Sequence, residues 1–426
     1  MKARFEQIAA FVKQHVSADD WTLNIHSGDS HETRFAQNAI TQHIAGTTLM
    51  INLSVAFGNR TGVSSVNQTD EAALYAMIKQ AEDMAKLNQP DPEYVESASF
   101  EAIPEVQNTS DASLNLAPEE MVEIIKSSIA NATKQDATVS GMTEKHHPCM
   151  FTATKNGFCG YKEYTNFGHS MTIKKEHTET KVSFTSKDYA KFDLNKELEQ
   201  LNSQIKALKS PQDFDPCRIP VIFRPPAVWE FLMYLGWMMY RREADEGLTA
   251  FTDQLGKQFL GEKFTMLSTL ANPDIICDPF SRDSIVSKET HWVRNGVVEN
   301  MPTRRYWAMM KNLTPSSMFN LYIPGGENTE QEMMKMVPKG LIVNRLWYIR
   351  PVDMKAGELT GMTRDGVLYF ENGEIKHAVN NLRFNEIPHD ATRRILAMGK
   401  SEIVDSEVML PTMLIDNFNF VDKTSF

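Results

Sequence analysis

No run of about 18 consecutive apolar residues occurs in this 426-residue sequence, so no segment reads as a membrane-spanning helix. Cysteine is scarce: the four, Cys149, Cys159, Cys217 and Cys277, have no C-x-x-C spacing, and a chain of this size needs no disulfide staples. Positive charge is not in excess, because 44 Lys and Arg face 55 Asp and Glu, for a net charge of −11. That balance opposes a surface that tracks nucleic-acid phosphates, so no direct nucleic-acid partner and no membrane partner are expected. The opening "MKARFEQIAAFVKQHV" is broken by Glu6, Lys13 and Gln14 and lacks the apolar core and small-residue cleavage site of an export signal. A reducing cytoplasm is the expected location. Fixed-period repeats and low-complexity tracts are absent, as is any G-x-S-x-G signature among the 11 scattered histidines.

What is present fits an ordinary globular chain, with 42% hydrophobic and 23% charged residues. The length suits two domains, since single cores stop growing beyond roughly 250–300 residues. Apolar residues at helical spacing predict a helix over 5–16, and successive strands with Gly, Asn and Asp turns follow to residue 66. "TDEAALYAMIKQAEDMAKLN" reads as a helix with Thr69 as its N-cap, and Pro118 starts another in "APEEMVEIIKSSIANATKQ". Residues 89–117 read as loop, 138–185 as antiparallel strands and 194–209 as a helix. "SPQDFDPCRIPVIFRPP" holds five prolines in seventeen residues, a density that breaks regular structure and suits an interdomain crossing. The expected fold is therefore α+β in two domains: an N-terminal helix and antiparallel-strand domain over 1–212, and a β-rich C-terminal domain over 213–426.

Past the prolines, Trp229, Leu232, Met233, Gly236 and Tyr240 line one face of an amphipathic helix, predicted to face the core. "MMYRREADEGLTAF" ends this pattern with Arg241, Arg242, Glu243, Asp245 and Glu246; Arg241/Asp245 and Arg242/Glu246 stand four apart, as a self-paired helix end would. "MPTRRYWAMMKNL" gathers Arg304, Arg305, Tyr306 and Trp307, types favoured at peptide or partner contacts, though an ordinary strand edge fits equally. "HHPC", His146 to Cys149, with Cys159 and His169 imitates a Cys/His metal set, but the spacings fit no zinc-finger or zinc-knuckle pattern, so no metal ligand is assigned. Gly325–Gly326 ahead of Glu327 and Thr329 reads as a turn with a capping signal, since no Lys-Ser/Thr follows to cradle phosphate. The 24 methionines, clustered as "MYLGWMM", Met309–Met310 and "EMMKM", suit either soft core filler or an adaptable contact surface.

Several segments together resemble the TldD/PmbA family, the modulators of DNA gyrase understood as metallopeptidases. They are "RFAQNAITQ" with "GNRTGVSSVNQTDEAAL", "DQLGKQFLGEKFTM", "PTRRYWAMMKNLTPSSMFNLYIPGG", "PKGLIV", "GVLYFENGEIKHAVNNLRF" and "LPTMLIDNFNF". Catalytic TldD-type members carry a helix with H-E-x-x-x-H, often continuing as Gly-Leu, and a cysteine near the C-terminus that completes a zinc site. Here, matching Glu243 to the motif glutamate puts Arg242 and Gly247 at the histidine positions, and matching Gly247–Leu248 puts Arg241 and Glu246 there. "MGKSEIVDSEVMLP", where the third ligand would fall, has no cysteine. A guanidinium repels a divalent cation. The resemblance is thus to the PmbA, or TldE-like, half of the family. It implies a subunit of a metalloprotease in peptide maturation with no metal of its own, zinc in a TldD-type partner, and an extended peptide substrate; a homodimer is the alternative assembly. Two rivals remain: an active metallopeptidase using Glu243, Asp245 or Glu246 with an unrecognised ligand set, and a non-proteolytic regulator acting on gyrase or a toxin system.

Overall fold

Alternation of buried and open positions over residues 21–27 of the first strand and 51–55 of the second builds an antiparallel sheet whose apolar side faces helices. The computed structural model describes residues 1–424, so the last two residues of the expected C-terminal domain lie outside the described residues. The N-terminal half runs α1 (Lys2–His15), β1 (Asp20–Ala36), β2 (Ala39–Phe57), β3 (Arg60–Val66), α2 (Glu71–Leu87), α3 (Asp111–Asn115), α4 (Pro118–Thr133), β4 (Thr138–Thr154), β5 (Cys159–Glu163), β6 (Asn166–Lys175), β7 (Thr178–Ser186) and α5 (Leu194–Ala207). Its seven strands form one sheet in the order β3-β2-β1-β4-β6-β7, with β5 continuing alongside β4 where β6 leaves it. Phe5, Ile8 and Val12 of α1 and Leu74, Met77 and Ile78 of α2 pack on Leu23, Ile25, Leu53 and Phe151. The cap of α2 is Asp70, whose carboxylate accepts from Ala73 N at 3.0 Å, so the expected Thr69 cap is one residue early; the first turn begins at Glu71 because Asp70 is the extended residue.

The C-terminal half runs β8 (Arg218–Phe223), α6 (Pro225–Met238), α7 (Arg241–Asp245), β9 (Met266–Ser268), β10 (Thr290–Arg294), β11 (Val297–Val298), α8 (Arg305–Lys311), β12 (Leu321–Tyr322), α9 (Glu330–Lys335), β13 (Lys339–Asp353), β14 (Glu358–Glu371), β15 (Glu374–Val379), β16 (Leu382–Glu386), α10 (Pro388–Arg393), β17 (Ile395–Asp405) and β18 (Val408–Lys423). In its eleven-stranded sheet, β8 pairs with both β13 and β18, so β8-β13-β14-β16-β18 closes a ring without edges. Phe231 of α6 meets Phe223, Phe384 and Phe418 of the ring at 5.5–5.9 Å between ring centroids. The observed architecture is α+β with a β-rich second half, as expected.

Three local expectations are corrected. The proline-rich segment is irregular only up to Cys217: Pro220 lies inside β8, and Pro225 opens α6, where its missing N–H costs nothing. The fully buried side of α6 is Ala227, Val228, Phe231, Leu232, Tyr234, Leu235 and Met238; of the expected stripe Leu232 is fully buried, and Trp229 and Met233 pack against the same core while only partly buried. The segment around Arg305 is the helix α8, not a strand edge.

Candidate functional site

Three segments distant in sequence converge at the expected motif. The first, α7, is a single turn set off from α6 by extended Tyr240. It ends on Gly247 at φ +72, with Leu248 N donating to Glu243 O at 2.9 Å and Gly247 N to Ala244 O at 3.1 Å. This paired closure needs a left-handed residue, which accounts for the glycine without reference to a lost ligand. The second is α8, and the third is the loop at Glu93 and Glu96 in the N-terminal half.

Arg242 joins all three. Its Nη1 and Nη2 donate to the two Glu93 oxygens at 2.8 Å each, and its Nε to Glu246 Oε1 at 3.1 Å. The guanidinium also lies 5.7 Å from the Tyr306 ring centroid and 5.4 Å from that of Trp307. Planar, bidentate recognition of a carboxylate is what arginine does and lysine does not. Arg242 holds the Glu93 carboxyl below its ordinary value. Arg241 Nε donates to Asp245 Oδ1 at 2.7 Å, and Trp307 Nε1 donates to Asp245 Oδ2 at 2.8 Å. Arg305 Nη2 donates to the Glu96 carbonyl at 2.6 Å, while Arg304 stacks 5.2 Å from the Tyr240 ring. The degenerate motif (Arg241, Arg242, Glu243, Glu246, Gly247) and the aromatic–arginine set (Arg304, Arg305, Tyr306, Trp307) thus form one cluster, which clamps the N-terminal loop to the C-terminal half. Asp245 and Glu246, two of the three carboxylates available to an alternative metal set, are committed to arginines.

The sequence reading missed Glu230. H-E-x-x-x-H requires a helix, and α6, at 14 residues, carries the same register as Trp229-Glu230-x-x-x-Tyr234. Glu230 Oε1 accepts from Arg345 Nη2 at 2.6 Å and Nε at 3.0 Å, Oε2 accepts from Leu346 N at 2.5 Å, and Arg345 reaches Asp365 at 3.1 Å. Burial pushes the Glu230 carboxyl up more than Arg345 pulls it down. Tyr234 OH donates to Ile349 O at 2.8 Å. The missed signal was the single glutamate inside an otherwise apolar helix. Guanidinium, indole and a hydrogen-bonded phenol are not zinc donors, so neither register presents a set that fits the ion.

Beside α7, a cavity of about 610 Å³ is lined by Arg241, His291, Arg294, Glu299 and Thr303. A larger one, about 790 Å³, opens between the two halves beside His177, Trp347, Tyr348 and Arg364. Met238, Met239, Met333 and Met334 are core, while Met309, Met310 and Met336 are exposed, so the methionines divide between both expected roles. The turn at Gly325–Gly326 precedes a capping box: Thr329 N donates to Glu332 Oε2 at 2.8 Å and Glu332 N to Thr329 Oγ1 at 3.2 Å.

Comparison with known proteins settles the lineage of this half. Residues 216–422 match the family described as PmbA/TldA metallopeptidase C-terminal domain. Residues 216–422 thus carry a PmbA/TldA metallopeptidase C-terminal domain. Among solved structures, TldE from Thermococcus kodakarensis overlays at TM-score 0.89 with 15% identity, covering 98% of this chain and 100% of that one. A protein titled as a candidate modulator of DNA gyrase from Thermotoga maritima overlays at 0.85 with 14% identity, over 98% and 99% of the two chains. One from Bacteroides thetaiotaomicron, titled likewise, overlays at 0.87 with 14% identity, over 99% and 98%. At such identities these overlays establish the shared PmbA/TldD fold and nothing of activity. Curated protein sequences yield no match. No helix among the described residues is long and apolar enough to cross a membrane.

Proposed function

We propose that the chain is a TldE-like subunit, without a zinc ion at α6–α7, that supports peptide maturation by a zinc-bearing TldD-type partner in the cytoplasm. The observation that carries this reading is the Arg242 clamp: in each register one ligand position holds an arginine, Arg242 committed to Glu93 and Glu246 and Arg241 to Asp245. A divalent ion placed there would meet two guanidinium groups, and forming a site would require the loop at Glu93 to be released. The subunit's contribution is to help enclose an extended peptide by main-chain pairing. Strand β2 suits that role, because β3 covers it only from Ile51 to Phe57, and the exposed stretch before it carries Ile40, Ile44 and Met50.

The test is co-purification with a TldD-type chain from the same source, followed by peptide hydrolysis assays on each chain alone and on the mixture. Stable association, with hydrolysis only when the partner is present, is expected. Failure to associate, or zinc-dependent hydrolysis by this chain alone, would overturn the reading.

A further inference from the structure

The N-terminal sheet assembles donors that no spacing along the chain reveals. His147 and Cys149 are two apart on β4, so they project from the same face. Glu163 on β5 is the direct cross-strand partner of Cys149 and shares that face. His147 Nε2 lies 3.1 Å from Glu163 Oε2, Cys149 Sγ lies 3.6 Å from the same oxygen, and Sγ lies 4.0 Å from Nε2. All three ligand atoms fall within 4.8 Å of one another. In a tetrahedral zinc site, bond lengths of about 2.0–2.3 Å set the ligand atoms about 3.3–3.6 Å apart, so these separations need only a few tenths of an ångström of adjustment.

We propose that His147, Cys149 and Glu163 bind one divalent ion of the zinc class, with solvent at the fourth position. The donor set selects the class: imidazole and thiolate favour zinc, whereas calcium and magnesium require oxygen ligands. Access is asymmetric. The His147 and Glu163 side chains are 30% and 40% exposed, while Cys149 sits on the rim of the core under α1. Tyr161 OH donates to Glu163 Oε2 at 2.9 Å, the kind of outer contact that orients a ligating carboxylate. Pro148 stiffens the backbone between the two β4 ligands, at the point where β4 exchanges β6 for β5 as its neighbour. The other members of the expected Cys/His set lie elsewhere: His146 turns to Glu144, His169 is buried against Thr143, and Cys159 is exposed. This site is independent of the one at α6–α7.

The full, untagged chain, stripped with a chelator, is titrated with zinc alone and with cobalt(II) as a spectroscopic probe. About one ion per chain is expected, and the cobalt form should show a thiolate charge-transfer band. Cys149→Ser should abolish the band, and Glu163→Gln and His147→Gln should each weaken zinc at least about tenfold, by analogy with losses at ligand-orienting contacts. Cys159→Ser should change nothing. His147 and Glu163 are partly exposed, so their variants keep the test sound if Cys149→Ser misfolds. Absence of stoichiometric binding by the wild type, or tight binding that survives both His147→Gln and Glu163→Gln, would overturn the proposal. Neither outcome bears on partner association, which tests the subunit reading alone.

Discussion

Glu230 on α6 and Arg242 on α7 lie twelve positions apart, and each belongs to a carboxylate–guanidinium pair, yet their surroundings differ. The Glu230–Arg345 side chains are 20% and 22% exposed, and the group continues to Asp365 at 4%. The Arg242–Glu93 side chains are 39% and 44% exposed. The same chemistry therefore does different things. Inside, a broken pair leaves an uncompensated charge in a poor solvent; outside, water and salt replace the lost partner. The inner pair ties α6 to the strand ring, while the outer one fastens one half of the molecule to the other.

Glu230→Ala should have the largest effect, about 3 kcal/mol or more in urea unfolding, because Arg345 loses its main counter-charge. A change below about 1 kcal/mol would mean that the buried group is more solvated than its exposure implies. Next comes His169, which extends the contrast to a histidine. It is 2% exposed, with Nδ1 2.7 Å from Thr143 Oγ1, and burial brings its pKa down to about 3. The unfolded chain binds this proton near pH 6.5 and the folded chain does not, so stability from this group is present above 6.5 and lost as pH falls toward 3. The slope should reach about 1.4 kcal/mol per pH unit, and His169→Gln should flatten it in melts run between pH 7 and pH 4. Trp307→Phe, which removes the indole donor to Asp245, should cost about 0.5–1.5 kcal/mol. Arg242→Gln should be smallest in global stability. Its mark should be faster amide exchange around residues 88–97, with a difference from wild type that shrinks as salt rises; exchange unchanged at low salt would remove the clamp from the account.

Most N-terminal elements were readable because α1, α2, α4 and α5 show helical spacing and stretches such as 21–27 and 51–55 alternate; the five-residue α3 lies in the stretch read as loop. The Thr329 cap was readable from four residues. The face of α6 was not, because eight of its fourteen residues are buried and an almost wholly apolar helix carries little directional signal. The α8 helix was missed because seven residues give too few turns to display a period. The resemblance pointed to Arg241 and Arg242, but the partner of Arg242, Glu93, is 149 positions away, a separation no local pattern encodes.

By itself, the sequence determined the α+β class, the β-rich second half and the resemblance to the PmbA/TldD family, since each depends on residue type and short-range period. Tertiary structure alone decided which charges meet, which side of α6 is inside, and that His147, Cys149 and Glu163 face one another. Those outcomes depend on strand register and on burial, which bring together residues whose separation along the chain carries no information about their distance in space.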